Sequence, residues 1–120
     1  MLRMSGERDV KYGQLTELYN VTRYTVKVLI SFRDKGTERV WNRQRLRSLD
    51  ENTQRLSLRK LLILDAAEAL SDLMVPPGNR LEKLQGDRAD MYSIRVNRQW
   101  RICFRWTIGG AEDVELVDYH

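Results

Sequence analysis

The chain has 120 residues, 42% hydrophobic and 32% charged, so about 50 apolar side chains are available to build the core of one domain with at most an appendage. The longest aliphatic run, Leu61-Leu62-Ile63-Leu64, falls far short of the roughly 18 residues of a spanning helix, and the first residues lack an apolar stretch of signal-peptide length. One cysteine, Cys103, and one histidine, His120, exclude a disulfide framework or a His/Cys zinc site within one chain, so the expectation is a cytoplasmic protein in a reducing compartment, without membrane association.

Lys and Arg number 21 against 17 Asp and Glu, a net charge of +4, with 16 of the cations in residues 29–120, a balance that suits an acidic partner such as nucleic acid. The sign alternates in blocks. Residues 33–60 hold nine cations and four acids, whereas residues 61–79 hold only Asp65, Glu68 and Asp72. Seven cations against three acids follow in residues 80–106, and the tail carries Glu112, Asp113, Glu115 and Asp118.

Residues 1–27, with Gly6 and Gly13 and no clear apolar face, read as an N-terminal extension to a domain spanning residues 28–120. The β-branched and aromatic segment Val28-Leu29-Ile30-Ser31-Phe32 predicts a short strand that ends at Arg33-Asp34-Lys35-Gly36. A first helix is expected over residues 37–47, with Val40 and Trp41 as its apolar contacts. A second, capped by Asp50 or Asn52, carries Leu56, Leu62, Ile63, Ala66, Ala67, Leu70 and Leu73 at helical spacing and must stop by Val75, ahead of Pro76-Pro77. Beyond Arg80 the period becomes two: Tyr92, Ile94 and Val96, then Trp100, Ile102, Phe104 and Trp106, alternate with polar residues. Asn97-Arg98-Gln99 and Gly109-Gly110 form turns, and Val114, Leu116 and Val117 supply a last strand. The expected architecture is α+β, with two helices packed on one face of an antiparallel sheet in the order β-α-α-β-β-β, with a further strand allowed.

If Trp100, Ile102, Phe104 and Trp106 face the helices, Arg101 and Arg105 face the other way, joined by Arg95 where register permits. An open sheet face lined with arginines is suited to anions, because a guanidinium fork matches two phosphate oxygens. The competing reading is solvation, or pairing with Asp and Glu.

The segments Leu81-Glu82-Lys83-Leu84-Gln85-Gly86-Asp87-Arg88, Tyr92-Ser93-Ile94-Arg95-Val96-Asn97, Trp100-Arg101-Ile102-Cys103-Phe104 and Val117-Asp118-Tyr119-His120 resemble the HigB toxins of bacterial type II toxin–antitoxin systems, in the RelE/ParE superfamily. Phe32-Arg33-Asp34-Lys35-Gly36-Thr37 resembles that family's opening strand and turn. The resemblance implies a RelE/ParE-type fold and a small metal-independent endoribonuclease that cuts messenger RNA in the ribosomal decoding site. It further implies a helix-turn-helix antitoxin of the HigA type, through which alone operator DNA is contacted, and no cofactor.

Metal-free RNA cleavage needs a base for the 2′-hydroxyl, an acid for the leaving 5′-oxygen and a cation for the charge that develops on phosphorus. The resemblance gives Arg101 the last role. His120, whose unperturbed imidazole titrates near pH ~6.5, is the proton donor or acceptor, and the α-carboxylate beside it favours the imidazolium and so the acid role. Tyr119 would stack on a base or orient the phosphate, and Asp118 would orient His120. Some family members carry histidine and lysine where this chain has Glu82 and Gln85, so the base role falls to Glu82 if it is retained there, and one phosphate-binding cation is missing. Arg88, Arg95, Arg98 and Arg105 are the candidate RNA contacts. Tyr92 and Trp100 read as core, and Cys103 as an inert small residue of the sheet.

The alternatives are a non-enzymatic toxin of the same fold, as in the gyrase-directed ParE branch, and a domain that only binds nucleic acid. A metal-dependent nuclease is disfavoured by the scattered carboxylates. Because translation can begin at a GTG codon, residues 1–27 are either the product of a start placed too far upstream, the favoured reading, or a genuine arm over the domain.

Overall fold

Two aspartates open the two helices. Asp34 accepts a hydrogen bond from the Thr37 backbone N–H at 3.1 Å and caps α1, Lys35–Trp41, and Asp50 accepts from the Thr53 N–H at 3.2 Å and caps α2, Glu51–Ala66. The Thr37 hydroxyl also donates to Asp34 at 2.6 Å and accepts from the Leu116 backbone N–H at 2.9 Å, so the first cap fastens α1 to the sheet. This computed structural model describes residues 29 and 31–119.

Both helices end earlier than periodicity predicts. α1 stops at Trp41 instead of residue 47, because Arg43 takes a left-handed φ of 63° and the chain beyond it is tied to Gln54, which donates to the Gln44 carbonyl at 2.7 Å and accepts from the Leu46 N–H at 2.9 Å. α2 stops at Ala66 instead of near Val75. The Asp72 carboxylate accepts from the Glu68 and Ala69 N–H groups at 2.9 and 3.0 Å, and the chain restarts as a 3₁₀ turn, Leu70–Met74. Leu73 is still fully buried, so the apolar spacing identified a core residue across a break in the helix that it could not detect.

A second 3₁₀ turn, Pro77–Asn79, is pinned from within. Asn79 is fully buried, donates to the carbonyls of Leu73 at 3.1 Å and Val75 at 3.2 Å, and accepts from Lys60 Nζ at 2.5 Å.

The sheet runs in the order β1 (Glu82–Lys83), β2 (Met91–Arg95), β3 (Trp100–Thr107), β4 (Gly110–Asp118), antiparallel throughout. Between β2 and β3, Asn97 Oδ1 accepts from the backbone N–H groups of Gln99 at 2.9 Å and Trp100 at 2.8 Å, the local bonding that makes asparagine a turn residue. Val40, Leu61, Leu64, Leu73, Ile94, Ile102, Phe104 and Val114 are fully buried between helices and sheet, with Trp100 and Trp106 half-buried against them, so the tryptophan face of β3 does point at the helices.

One irregularity organises the outer edge. Cys103 pairs with Glu115 but Arg105 pairs with Glu112, so Phe104 faces two residues, Asp113 and Val114. This is a bulge, and Asp113 adopts the left-handed φ of 52° that aspartate tolerates better than most residues. The bulge leaves Val114 in the core while its N–H donates to the Ser31 carbonyl at 3.0 Å and its carbonyl accepts from the Arg33 N–H at 2.9 Å. Among the described residues, the strand predicted over residues 28–32 is therefore a single parallel bridge, Phe32 to Val114; Val28 and Ile30, like residues 1–27, lie outside the described residues. No helix of the described residues is long and apolar enough to cross a membrane.

Asp65 joins α2 to this N-terminal segment by accepting the Leu29 N–H at 2.9 Å, and burial pushes its carboxyl above the usual aspartate value of 3.8. A carboxyl whose folded pKa is raised destabilises the fold most when fully ionised, and the penalty fades as pH falls through the folded pKa. Asp65→Asn keeps an acceptor for Leu29 and should raise the thermal midpoint at pH 7, by a margin that shrinks toward pH 3.8. Melting curves across this range check it, and an equal or lower midpoint for the variant at pH 7 would refute it.

Candidate active site

The β2–β3 register decides which side chains share the face opposite the helices. Arg95 pairs with Arg101, Ser93 with Cys103 and Met91 with Arg105, while Glu82 of β1 pairs with Ser93. Glu82, Ser93, Arg95, Arg101, Cys103 and Arg105 therefore project to one side. This is the arginine face predicted from the alternation.

The face is not open as predicted. Arg101 is only 8% exposed, and Ser93 and Cys103 are fully buried. The cover comes from residues 80–88 on one side and from Tyr119 on the other. Arg101 Nε donates to Ser93 Oγ at 2.8 Å, and Nη2 donates to the Arg80 carbonyl at 2.5 Å and the Ser93 carbonyl at 3.3 Å. Glu82 Oε1 lies 3.8 Å from the same Nη2. Acceptors placed around a buried cation offset the hydration it has lost.

The Tyr119 ring lies over this guanidinium, 5.9 Å from Cζ to the ring centroid, within cation–π range. Its hydroxyl is 4.0 Å from Cys103 Sγ, and its backbone N–H donates to the Gln99 carbonyl at 2.7 Å, carrying the pairing of β4 one residue past Asp118. Burial pushes both the Cys103 thiol and the Tyr119 phenol up, with Arg88 and Arg101 close enough to oppose the shift in each. Arg88, from the 3₁₀ turn Gly86–Arg88, reaches Glu115 at 3.3 Å, so it borders the same cluster. Asp118 accepts from Gln99 Nε2 at 3.1 Å. His120 lies outside the described residues.

The remaining candidates stand apart from this cluster. Arg105, four residues along β3 and so about 13 Å from Arg101, is paired with Asp90 at 3.0 Å and with Asp113 on the bulge, matching the competing reading of a paired cation. Arg98 is exposed on the β2–β3 turn. Arg95 is half-buried and lies near Lys60, whose ammonium is pushed below the ordinary lysine range by burial, with Arg59 and Arg95 adding to the effect. Among the described residues, no group of three or more His, Cys, Asp or Glu side chains is placed to hold a metal. Sequence reasoning passed over Ser93 and the Arg80 carbonyl. A small polar residue in phase with the arginines, diagonal to Arg101 across the β2–β3 pair, was the available signal for the first; nothing local signals the second.

Two helices on one face of a four-stranded antiparallel sheet form an α+β architecture of the RelE-like toxin type. The family model described as the RelE-like toxin of type II toxin–antitoxin system HigB matches residues 30–120. The chain is 45% identical over 88 residues to Toxin HigB-1 of Vibrio cholerae, an alignment covering 72% of this chain and 93% of that protein. It is 38% identical over 58 residues to an uncharacterized protein of Haemophilus influenzae, covering 48% and 57% of the two chains. The chain belongs to the HigB-like toxin family, and as a type II toxin it has an antitoxin partner.

Cys103 is the one cysteine of the chain and sits beneath Tyr119, so its labelling reports on the site. With a raised pKa and no exposure, the thiol should react with a thiolate-selective reagent at pH 7 far more slowly than a free cysteine, and faster as pH rises. Tyr119→Ala should accelerate the reaction about tenfold or more by uncovering the sulfur. Labelling of the folded wild type at the rate of a free thiol would show that the cover is absent.

Proposed function

We propose that this chain is a metal-independent endoribonuclease that cuts messenger RNA on the ribosome and so arrests translation and growth, and that a helix-turn-helix antitoxin of the HigA type holds it inactive. The observation that carries this reading is the convergence of Glu82, Arg101 and Tyr119 on one face of the sheet, at the end of the strand that leads into Asp118-Tyr119-His120.

In this reading the Glu82 carboxylate accepts the proton of the attacking 2′-hydroxyl. At 3.8 Å from Arg101 and largely exposed, Glu82 is in ion-pair range but not hydrogen-bonded to the guanidinium, so a phosphate oxygen can take its place as the carboxylate turns to the sugar. Nη1 of Arg101, which has no partner among the described residues, faces the negative charge that grows on phosphorus. The His120 imidazolium protonates the leaving 5′-oxygen, with Asp118 orienting it, and Tyr119 stacks on a base. Arg88, Arg95 and Arg98 contact flanking phosphates, and Arg105 joins them by exchanging a carboxylate partner for a phosphate. Operator DNA is reached only through the antitoxin.

Expression without antitoxin should arrest growth, and Arg101→Ala should relieve the arrest while lowering cleavage of ribosome-bound messenger RNA by about 10²- to 10³-fold, the usual cost of losing one transition-state donor. Free messenger RNA should be cut poorly. Full toxicity of a folded Arg101→Ala variant would remove Arg101 from the mechanism; growth arrest with intact messenger RNA would favour a non-enzymatic toxin of the same fold.

The family match begins at residue 30, which supports reading residues 1–27 as an extension outside the toxin domain. A protein beginning at Val28 should then arrest growth as strongly as the full chain. Loss of toxicity on this truncation, with the product still folded, would assign the segment a function.

A further inference from the structure

A guanidinium carries five N–H donors in one plane, and at Arg101 the protein occupies one edge of that plane. Nε is taken by the Ser93 hydroxyl and Nη2 by the Arg80 and Ser93 carbonyls, which leaves the two N–H groups of Nη1 without a partner among the described residues. The contacts come from two directions. Ser93 lies on β2, diagonal to Arg101 across the strand pair, while the Arg80 carbonyl approaches from the chain that leads into β1.

Neither contact is adjustable. Ser93 is fully buried, so no water is at hand to replace its hydroxyl if it is lost. Arg80 holds a left-handed φ of 45° directly after Asn79, whose buried side chain bonds to the Leu73 and Val75 carbonyls and to Lys60. The Arg80 carbonyl is therefore set by a clamp that reaches back to α2.

We infer that Ser93 is a positioning residue of this site: its hydroxyl, together with the Arg80 carbonyl held in place by Asn79, fixes the Arg101 guanidinium so that Nη1 is the nitrogen presented to a phosphate. The inference rests on the role proposed for Arg101 and adds the device that aims it. Ser93 itself does not touch substrate. Lysine could not replace Arg101, because one ammonium cannot reach Ser93, the Arg80 carbonyl and a phosphate in a fixed plane.

The test compares the full chain with Ser93→Ala, Ser93→Thr, Arg101→Ala and the Ser93→Ala/Arg101→Ala double variant, by single-turnover cleavage of messenger RNA on programmed ribosomes and by NMR of the arginine Nε–H groups. Ser93→Ala should lower the cleavage rate about 10- to 100-fold, the effect of a misaimed catalytic group, with the half-saturating ribosome concentration changed less than about threefold. Ser93→Thr, which keeps a hydroxyl on a residue suited to a strand, should recover most of the rate. In the Arg101→Ala background, Ser93→Ala should cost nothing further, because there is no guanidinium left to aim. The Nε–H signal that disappears in Arg101→Ala should exchange slowly with water in wild type and quickly in Ser93→Ala. Full activity of Ser93→Ala, the same fold-loss with and without Arg101, or unchanged Nε–H exchange would each overturn the inference. If wild type does not cut ribosome-bound messenger RNA, the proposed function falls, while the NMR comparison still decides whether Ser93 holds Arg101.

Discussion

A guanidinium that has lost most of its water needs acceptors from the protein, and the arrangement around Arg101 satisfies that need with three oxygens and a nearby carboxylate. Several features that look independent serve this one constraint. The pairing of Arg95 with Arg101 places Ser93 on the diagonal. The two-residue strand β1 brings Glu82 alongside. The buried Asn79 and the left-handed Arg80 deliver a backbone carbonyl where a regular turn would not. The remaining donors of Arg101 are thereby directed, and a directed cation stabilises a developing charge without reorganising when that charge appears.

The opposite edge of the sheet is organised by the bulge at Asp113 and Val114. An extra residue in β4 lets Val114 remain in the core while it bonds to the segment around Phe32, and it turns the Asp113 carboxylate toward Arg105. Two arginines on the same face of one strand thus have different fates. Arg101 is buried and held largely by neutral acceptors, whereas Arg105 is partly exposed and paired with two acids. Their difference lies in their neighbours, since their positions in the alternation are equivalent.

Acids are also assigned by local chemistry. Asp34 and Asp50 cap α1 and α2, and Asp72 receives the chain after α2 ends. Carboxylates bonded to backbone N–H groups satisfy donors that the helix itself cannot, so these three acids hold chain ends and bends in place.

The sequence alone determined the class of fold, the tryptophan and arginine faces of β3, the turns at Asn97 and Gly109, and, through the motifs around Leu81, Trp100 and Asp118, the family. Those features follow from periodicity and turn chemistry, which act over a few residues. It misplaced the ends of both helices, because a carboxylate such as Asp72 or an amide such as Gln54 can take over backbone hydrogen bonds without disturbing the apolar spacing. Only the tertiary structure decided that Arg101 is buried and Arg105 paired, that Ser93 and the Arg80 carbonyl accept hydrogen bonds from the former, and that Tyr119 lies against Cys103. Each of these depends on oxygens and rings brought in from residues 80–93 and 113–119, and alternation within one strand reports which way a side chain points, not what is waiting there.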